Sequence, residues 1–271
     1  MRLIQWFPGH IAKAQRNLKE NVKLVDLVIE MVDARLPVSS HFGFVDSMLN
    51  NKEKLIVLNK VDLADKEKLQ NAIEYWNNKN IETIAISTLN PKDILQLKSV
   101  LKKYHNKLKE KLGKRGILPR SIRVMVIGLP NIGKSTLINR LVEKKKTKVG
   151  DKPGVTRTVQ WIRIGENIEL LDTPGIILSK FEDQSLALKL VMTGSISVEA
   201  YEPIETSREI INYFEENVPN FFKNLAESFS IEKYGAIRNF IISGGEIDID
   251  RSAKTFIKDL RDGKLGAFSL E

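Results

Sequence analysis

The sequence predicts an α/β fold, a mostly parallel sheet with helices on both faces, followed by a small all-helical domain. Nearly continuous apolar runs at 24–32, 54–58, 82–86 and 124–127 alternate with stretches of helical periodicity, as expected of buried parallel strands joined by crossover helices. The stretch Gly128-Leu129-Pro130-Asn131-Ile132-Gly133-Lys134-Ser135 matches G-x-x-x-x-G-K-[ST] and lies between one such run and a helical pattern. Beyond 178 no strand pattern of comparable strength recurs, so the expected domains are 1–178 and 179–271.

Composition narrows the class. A hydrophobic share of 42% over 271 residues is ample for a buried core. The absence of cysteine excludes disulfides and thiolate zinc sites, and fits a reducing compartment. No apolar run reaches membrane-spanning length, and Met1 to Pro8 carries neither an apolar leader core nor a small-residue cleavage site, so the expectation is a cytoplasmic protein. A formal charge of +9 makes the average surface attractive to polyanions, nucleic acid first among them.

In chain order, Ile11, Ala14, Leu18 and Val22 fall at helical spacing within 9–23, with lysines and an arginine on the other faces. Leu24 to Val32 reads as a strand, interrupted by Asp26 and Glu30, that ends in Asp33-Ala34-Arg35-Leu36-Pro37. A short helix over 41–51 precedes the strand at 54–58, and a helix over 65–79 precedes the strand at 82–86. From Lys98 to Arg123 there are ten Lys or Arg against one acid, Glu110. Such a run fits a solvated helix face with a linker as well as a polyanion-binding surface; Gly113, Gly116 and Pro119 mark where the helix breaks. After the phosphate loop, Lys144 to Arg157 is a polar, glycine-containing loop, and Thr158–Ile164 and Ile168–Leu171 form a hairpin across Gly165-Glu166-Asn167. Helical spacing is expected at 186–191, 210–214, 221–229, 237–242 and 256–260, with breaks at Gly194, Pro203, Pro219 and Gly244-Gly245.

Four patterns carry chemistry. The phosphate loop presents the backbone N–H groups of Asn131, Ile132, Gly133, Lys134, Ser135 and Thr136 at a helix start, where the dipole also favours anions. Lys134 reaches the β and γ oxygens and Ser135 ligates Mg²⁺. Asn59-Lys60-Val61-Asp62 is N-K-x-D at the carboxyl end of a strand, the pattern that reads guanine in GTPases. An Asp62 carboxylate accepts from guanine N1–H and N2–H₂, whereas adenine would leave it unpaired. Asn59 fixes the loop and approaches the base, and the Lys60 methylenes cover its face. Ser87-Thr88-Leu89 is a partial match to the S-A-K base-side loop. Thr156 stands where an effector-loop threonine gives its hydroxyl to Mg²⁺ and its N–H to the γ-phosphate. Asp172-Thr173-Pro174-Gly175 is D-x-x-G, with Asp172 holding the metal through water and the Gly175 N–H on the γ-phosphate. The base-reading motifs precede the phosphate loop, so the order is a circular permutation that leads D-x-x-G directly into the second domain.

With these permuted motifs, Trp6-Phe7-Pro8-Gly9-His10 near the start and Asp259-Leu260-Arg261-Asp262-Gly263-Lys264-Leu265-Gly266 near the end, the whole chain resembles the bacterial ribosome biogenesis GTPase A family of circularly permuted GTPases. The resemblance implies a GTP-hydrolysing factor that binds a late precursor of the large ribosomal subunit as a monomer, away from membranes, with the helical domain on ribosomal RNA. Ile11 stands where that family usually has Met. Ile176 occupies the position of the water-orienting Gln of Ras-type GTPases and cannot orient water; the resemblance makes His10 the catalytic candidate, the alternative being an anchor of the first helix. It also suggests that Asn131 ligates K⁺ beside GTP or GDP. An RNA-binding or scaffolding protein with GTP as a static ligand, and a GTPase with another polyanionic partner, are the competing readings.

Overall fold

The computed structural model describes residues 4, 11–49, 52–142, 161–171 and 183–271. The chain divides into two compact units, Gly9–Leu178 with Glu271, and Ser179–Leu270 with Met1–Pro8.

In the first unit the helix α1 (Ile11–Leu24) is followed by β1 (Leu27–Asp33), a single-turn helix α2 (Gly43–Asp46), β2 (Glu53–Asn59), α3 (Lys66–Asn78), β3 (Glu82–Ile86), α4 (Pro91–Gly113), β4 (Ile122–Gly128), α5 (Lys134–Leu141), β5 (Trp161–Ile164) and β6 (Ile168–Leu171). The sheet order is β3-β2-β1-β4-β6-β5. All neighbours are parallel except β5 and β6, the expected hairpin. Period-two alternation divides each central strand between two layers. Leu27, Ile29 and Met31 pack with Leu97 and Leu101 of α4 and Leu137 of α5, while Val32, Ile56 and Leu58 pack with Ala72 and Trp76 of α3. Helices therefore cover both faces, which is why the strands are apolar throughout. Caps fix the helix starts: Asp65 accepts from Lys68 N at 3.0 Å, and Asn90 accepts from Lys92 N at 3.1 Å with Pro91 next in the chain.

The chain runs outward from β1 through β2 to β3 and then returns to place β4 on the other side of β1. This is a topological switch point, the position at which open α/β sheets bind ligands beyond their carboxyl ends.

Two local expectations are corrected. Leu24 ends α1 instead of opening a strand, and β1 begins at Leu27. The helix expected over 41–51 is one turn, because His41 and Phe42 are used to satisfy Glu30. Glu30 lies fully buried within β1 and accepts from His41 Nδ1 at 2.9 Å and Phe42 N at 2.6 Å, with Lys54 Nζ at 2.8 Å. Burial alone would raise its carboxyl, but the His41 bond and the Lys54 charge outweigh that and hold it below the ordinary range.

The second unit contains α6 (Gln184–Thr193), α7 (Pro203–Asn217), α8 (Ile231–Ile237) and α9 (Ile249–Arg261). The helical expectations at 221–229 and 237–242 fail. Phe221, Phe222 and Phe229 instead fold into turns whose rings cluster with Phe214, Phe256 and Phe268, and Ile241 bridges Ile247. Buried Asp259 ties the unit together, accepting from Tyr234 Oη at 2.7 Å, Arg238 at 2.9 Å and Lys264 at 2.7 Å. Ile4, which the expected boundary puts in the first domain, bridges Tyr201 and donates its N–H to Gln184 Oε1 at 3.2 Å, so its backbone pairs with this unit. Among the described residues no helix is long and apolar enough to cross a membrane.

Candidate functional site

Four strands deliver their carboxyl ends to one edge of the sheet: β1 at Asp33, β2 at Asn59, β3 at Ile86-Ser87 and β4 at Gly128. Gly128 lies beside Met31, and a Cβ there would sit 2.6 Å from the Met31 carbonyl oxygen. Only glycine lets the phosphate loop leave β4 at this point. The loop re-enters the fold through Ile132, whose side chain is fully buried in the core, so Ile132 can meet a ligand through its backbone alone.

Gly133 begins α5 in the left-handed region (φ 104), and no side chain caps the helix. The helix start is thus dressed for an external anion. Ser135 is exposed, Thr136 is half-buried, and Asn131 is exposed with a left-handed φ of 56. Lys134 folds back, donating to Gly128 O at 2.8 Å and Leu129 O at 2.6 Å. Burial pushes its ammonium down to about 8.

Asn59 joins the two halves of the site. Its Nδ2 donates to Ile132 O at 2.7 Å and its Oδ1 accepts from Thr88 N at 3.0 Å, so one buried carboxamide ties the N-K-x-D turn to the phosphate loop and to the loop after β3. A Cβ on Gly133 would fall 2.5 Å from that Nδ2, which explains the second glycine of the phosphate motif in this chain. Asp62 lies in the middle of a 3-10 turn, Val61–Leu63, and is exposed, with no ion pair among the described residues. Lys60 has a left-handed φ of 66 and places its Nζ 3.1 Å from Asp33 Oδ2.

The base-side loop differs from expectation. Ser87 N donates to Asp93 Oδ2 at 2.7 Å and Thr88 N to Asn59 Oδ1 at 3.0 Å, so the backbone N–H groups of both residues are already engaged within the protein. Leu89 N makes only a long 3.4 Å bond to Ser87 Oγ. His10, Thr156, Asp172 and Gly175 lie outside the described residues. Asp33 and Arg35 were legible only as a strand end, yet both are fully buried at the centre of this edge.

A phosphate loop locked to an N-K-x-D turn at a switch point, in permuted order, defines a circularly permuted P-loop GTPase. A family model described as 50S ribosome-binding GTPase matches residues 123–223. Ribosome biogenesis GTPase A of Bacillus licheniformis is 39% identical, with 99% of this chain and 98% of that protein covered. Its Thermotoga maritima counterpart is 33% identical, with 99% and 94% covered. The crystal structure of GNP-bound YlqF from T. maritima aligns with a TM-score of 0.70 at 30% identity, covering 96% of this chain and 97% of that one. The chain belongs to the ribosome biogenesis GTPase A family, and is a GTPase of ribosome biogenesis.

Proposed function

We propose that this GTPase binds a late precursor of the large ribosomal subunit as a cytoplasmic monomer and leaves it after hydrolysing GTP. The observation that carries the reading is the Asn59 bridge, which makes guanine recognition and phosphate binding one rigid site in a chain related over its full length to ribosome biogenesis GTPases. In this reading Asp62 accepts from the guanine edge, Asn59 and Lys60 frame the base, and the N–H groups of the loop from Asn131 to Thr136 cradle the phosphates with Lys134. The donor set fits Mg²⁺. Among the described residues no cluster of three His, Cys, Asp or Glu forms a preassembled cage, and Mg²⁺ is commonly held by few protein oxygens with phosphates and water. Ser135 supplies such an oxygen, with Thr156 and Asp172 as its partners. Bound there, the ion would supply positive charge against the phosphate oxygens. Asn131 is the candidate K⁺ ligand. His10 orients the attacking water, and the Gly175 N–H meets the γ-phosphate.

The RNA contact extends to α4. This helix has 23 residues and runs about 34 Å, but its fully buried side chains end at Tyr104. Lys102, Lys103, Lys109, Lys111, Lys114 and Arg115 are exposed and make no ion pair among the described residues, whereas Lys23, Lys254 and Lys264 each hold a neighbouring carboxylate. Unneutralised cations at this density suit RNA phosphates. The helical unit supplies the second RNA surface.

Co-sedimentation with large-subunit precursors tests the proposal. Retention with a non-hydrolysable GTP analogue and release with GDP is expected, and equal behaviour in the two states would overturn it. His10→Ala should keep GTP affinity while lowering subunit-stimulated turnover about 10²- to 10⁴-fold.

A further inference from the structure

At the centre of the site edge, between the N-K-x-D strand and the phosphate-loop strand, lies a pair of charges with no role in the account above. Asp33 Oδ1 accepts from Arg35 N at 3.1 Å and Arg35 Nε at 2.9 Å, and Asp33 Oδ2 accepts from Arg35 Nη2 at 3.0 Å. Both side chains are fully buried. Lys60 Nζ is a second cation on Oδ2, at 3.1 Å, with the Lys60 side chain still 22% exposed. The loop that carries the pair is itself fixed: Asp33 N donates to Ser40 Oγ at 3.1 Å, Ser40 Oγ donates to Leu36 O at 2.5 Å, and Trp76 Nε1 donates to Pro37 O at 3.2 Å.

Arg35 already engages both carboxylate oxygens in the two-pronged geometry that suits a carboxylate best. Asp33 therefore does not need Lys60 to survive burial; the contact fixes Lys60. Lys60 lies two residues before Asp62, and its ammonium sits on a flexible four-carbon stem. Released, it could fold over the exposed Asp62 carboxylate and occupy the acceptors that read guanine. Held by Asp33, it leaves Asp62 open and lays its methylenes across the edge where the base docks.

We infer that Asp33, backed by Arg35, is a positioning residue for guanine recognition, acting by holding the Lys60 ammonium away from Asp62. The inference rests on the guanine-site assignment proposed above. It commits the role to a single link, Asp33 through Lys60, which a double-mutant cycle can isolate.

The test measures binding of GDP and of inorganic tripolyphosphate to the full chain. Asp33→Asn should weaken GDP about 10- to 100-fold, the size of one lost charge-assisted contact, and leave tripolyphosphate unchanged because the phosphate loop is untouched. In a Lys60→Met background the same Asp33→Asn change should have no further effect on GDP. If it weakens GDP equally there, Asp33 acts through the fold and the inference is overturned. Should Asp33→Asn alone fail to fold, Asp33→Asn with Arg35→Met removes both buried charges together and should show the same Lys60-dependent loss; an unchanged GDP affinity in that variant also overturns it. Asp62→Ala separates the two levels. If Asp62→Ala abolishes the preference for GDP over ADP while Asp33→Asn leaves GDP binding intact, only the positioning role fails. If Asp62→Ala changes nothing, the guanine-site assignment itself is wrong.

Discussion

Lys134 should take up a proton when nucleotide binds. Its ammonium lies among backbone carbonyls at 2.8 and 2.6 Å with no carboxylate beside it among the described residues, and burial brings its pKa to about 8. A diphosphate in the loop supplies the missing negative charge and restores the ordinary lysine range. The sign follows directly. The bound form holds more protons than the free form above pH 7, so affinity falls as pH rises. With a free pKa of about 8, uptake per GDP should be about 0.1 proton at pH 7 and about 0.5 at pH 8, and affinity should drop about fivefold between pH 7 and 8.7. Titration calorimetry in two buffers of different ionisation enthalpy measures the uptake directly. Working below pH 9 keeps deprotonation of the guanine ring small. Heats at pH 8 that are independent of the buffer would show that the Lys134 ammonium stays fully charged in the nucleotide-free protein, and would refute the prediction.

Asp62→Asn should weaken GTP and favour xanthosine triphosphate, whose C2 oxygen can accept from an amide N–H₂; competition binding checks it, and wild-type protein that bound ATP as well as GTP would sink the base assignment. Gly133→Ala places a methyl 2.5 Å from Asn59 Nδ2 in a left-handed backbone position, so nucleotide binding should be lost while the sheet persists, as read by circular dichroism beside a GDP titration. Turnover should be faster in K⁺ than in Na⁺ at matched ionic strength if Asn131 ligates the ion, and equal rates would remove that role. Replacing Lys102, Lys109 and Lys114 with Gln should flatten the slope of log affinity for ribosomal precursors against log salt by about 2 to 3, at 0.7 to 0.9 per phosphate contact. An unchanged slope would make α4 a solvated face.

What could be read from the chain, and what could not, divides by the range of the interaction. The phosphate loop and N-K-x-D were legible because each is a contiguous string whose strand-before, helix-or-turn-after context is also local. The hairpin β5–β6 was legible for the same reason. The Asn59 bridge was not: it spans 73 residues to Ile132 and 29 to Thr88, and depends on β2 and β4 flanking β1, which no local pattern states. Asp33-Ala34-Arg35 looked like an ordinary strand end because the value of a buried Asp–Arg pair lies in what stands opposite it. Phe221, Phe222 and Phe229 have a spacing that fits a helical face, yet ring-on-ring packing with Phe214 and Phe256 satisfies the same residues in turns, and spacing cannot separate the two. Glu30 broke an apolar run for a reason that became visible only with His41 and Lys54 around it.

Permutation itself follows from the same division. The Asn59 contacts, the Gly133 approach and the Lys60–Asp33 pair are all made between carboxyl ends of neighbouring strands, and they depend on strand order alone. Joining the strands in another sequence changes which loop becomes a chain end, but leaves every one of these distances possible, because β1 and β4 remain neighbours although about ninety residues separate them. A site built at strand ends is therefore indifferent to connectivity, whereas the segment that follows D-x-x-G is not. In this chain the next described element after that motif is α6 (Gln184–Thr193), which lies in the second unit. The permuted order places D-x-x-G directly before the helical unit along the chain.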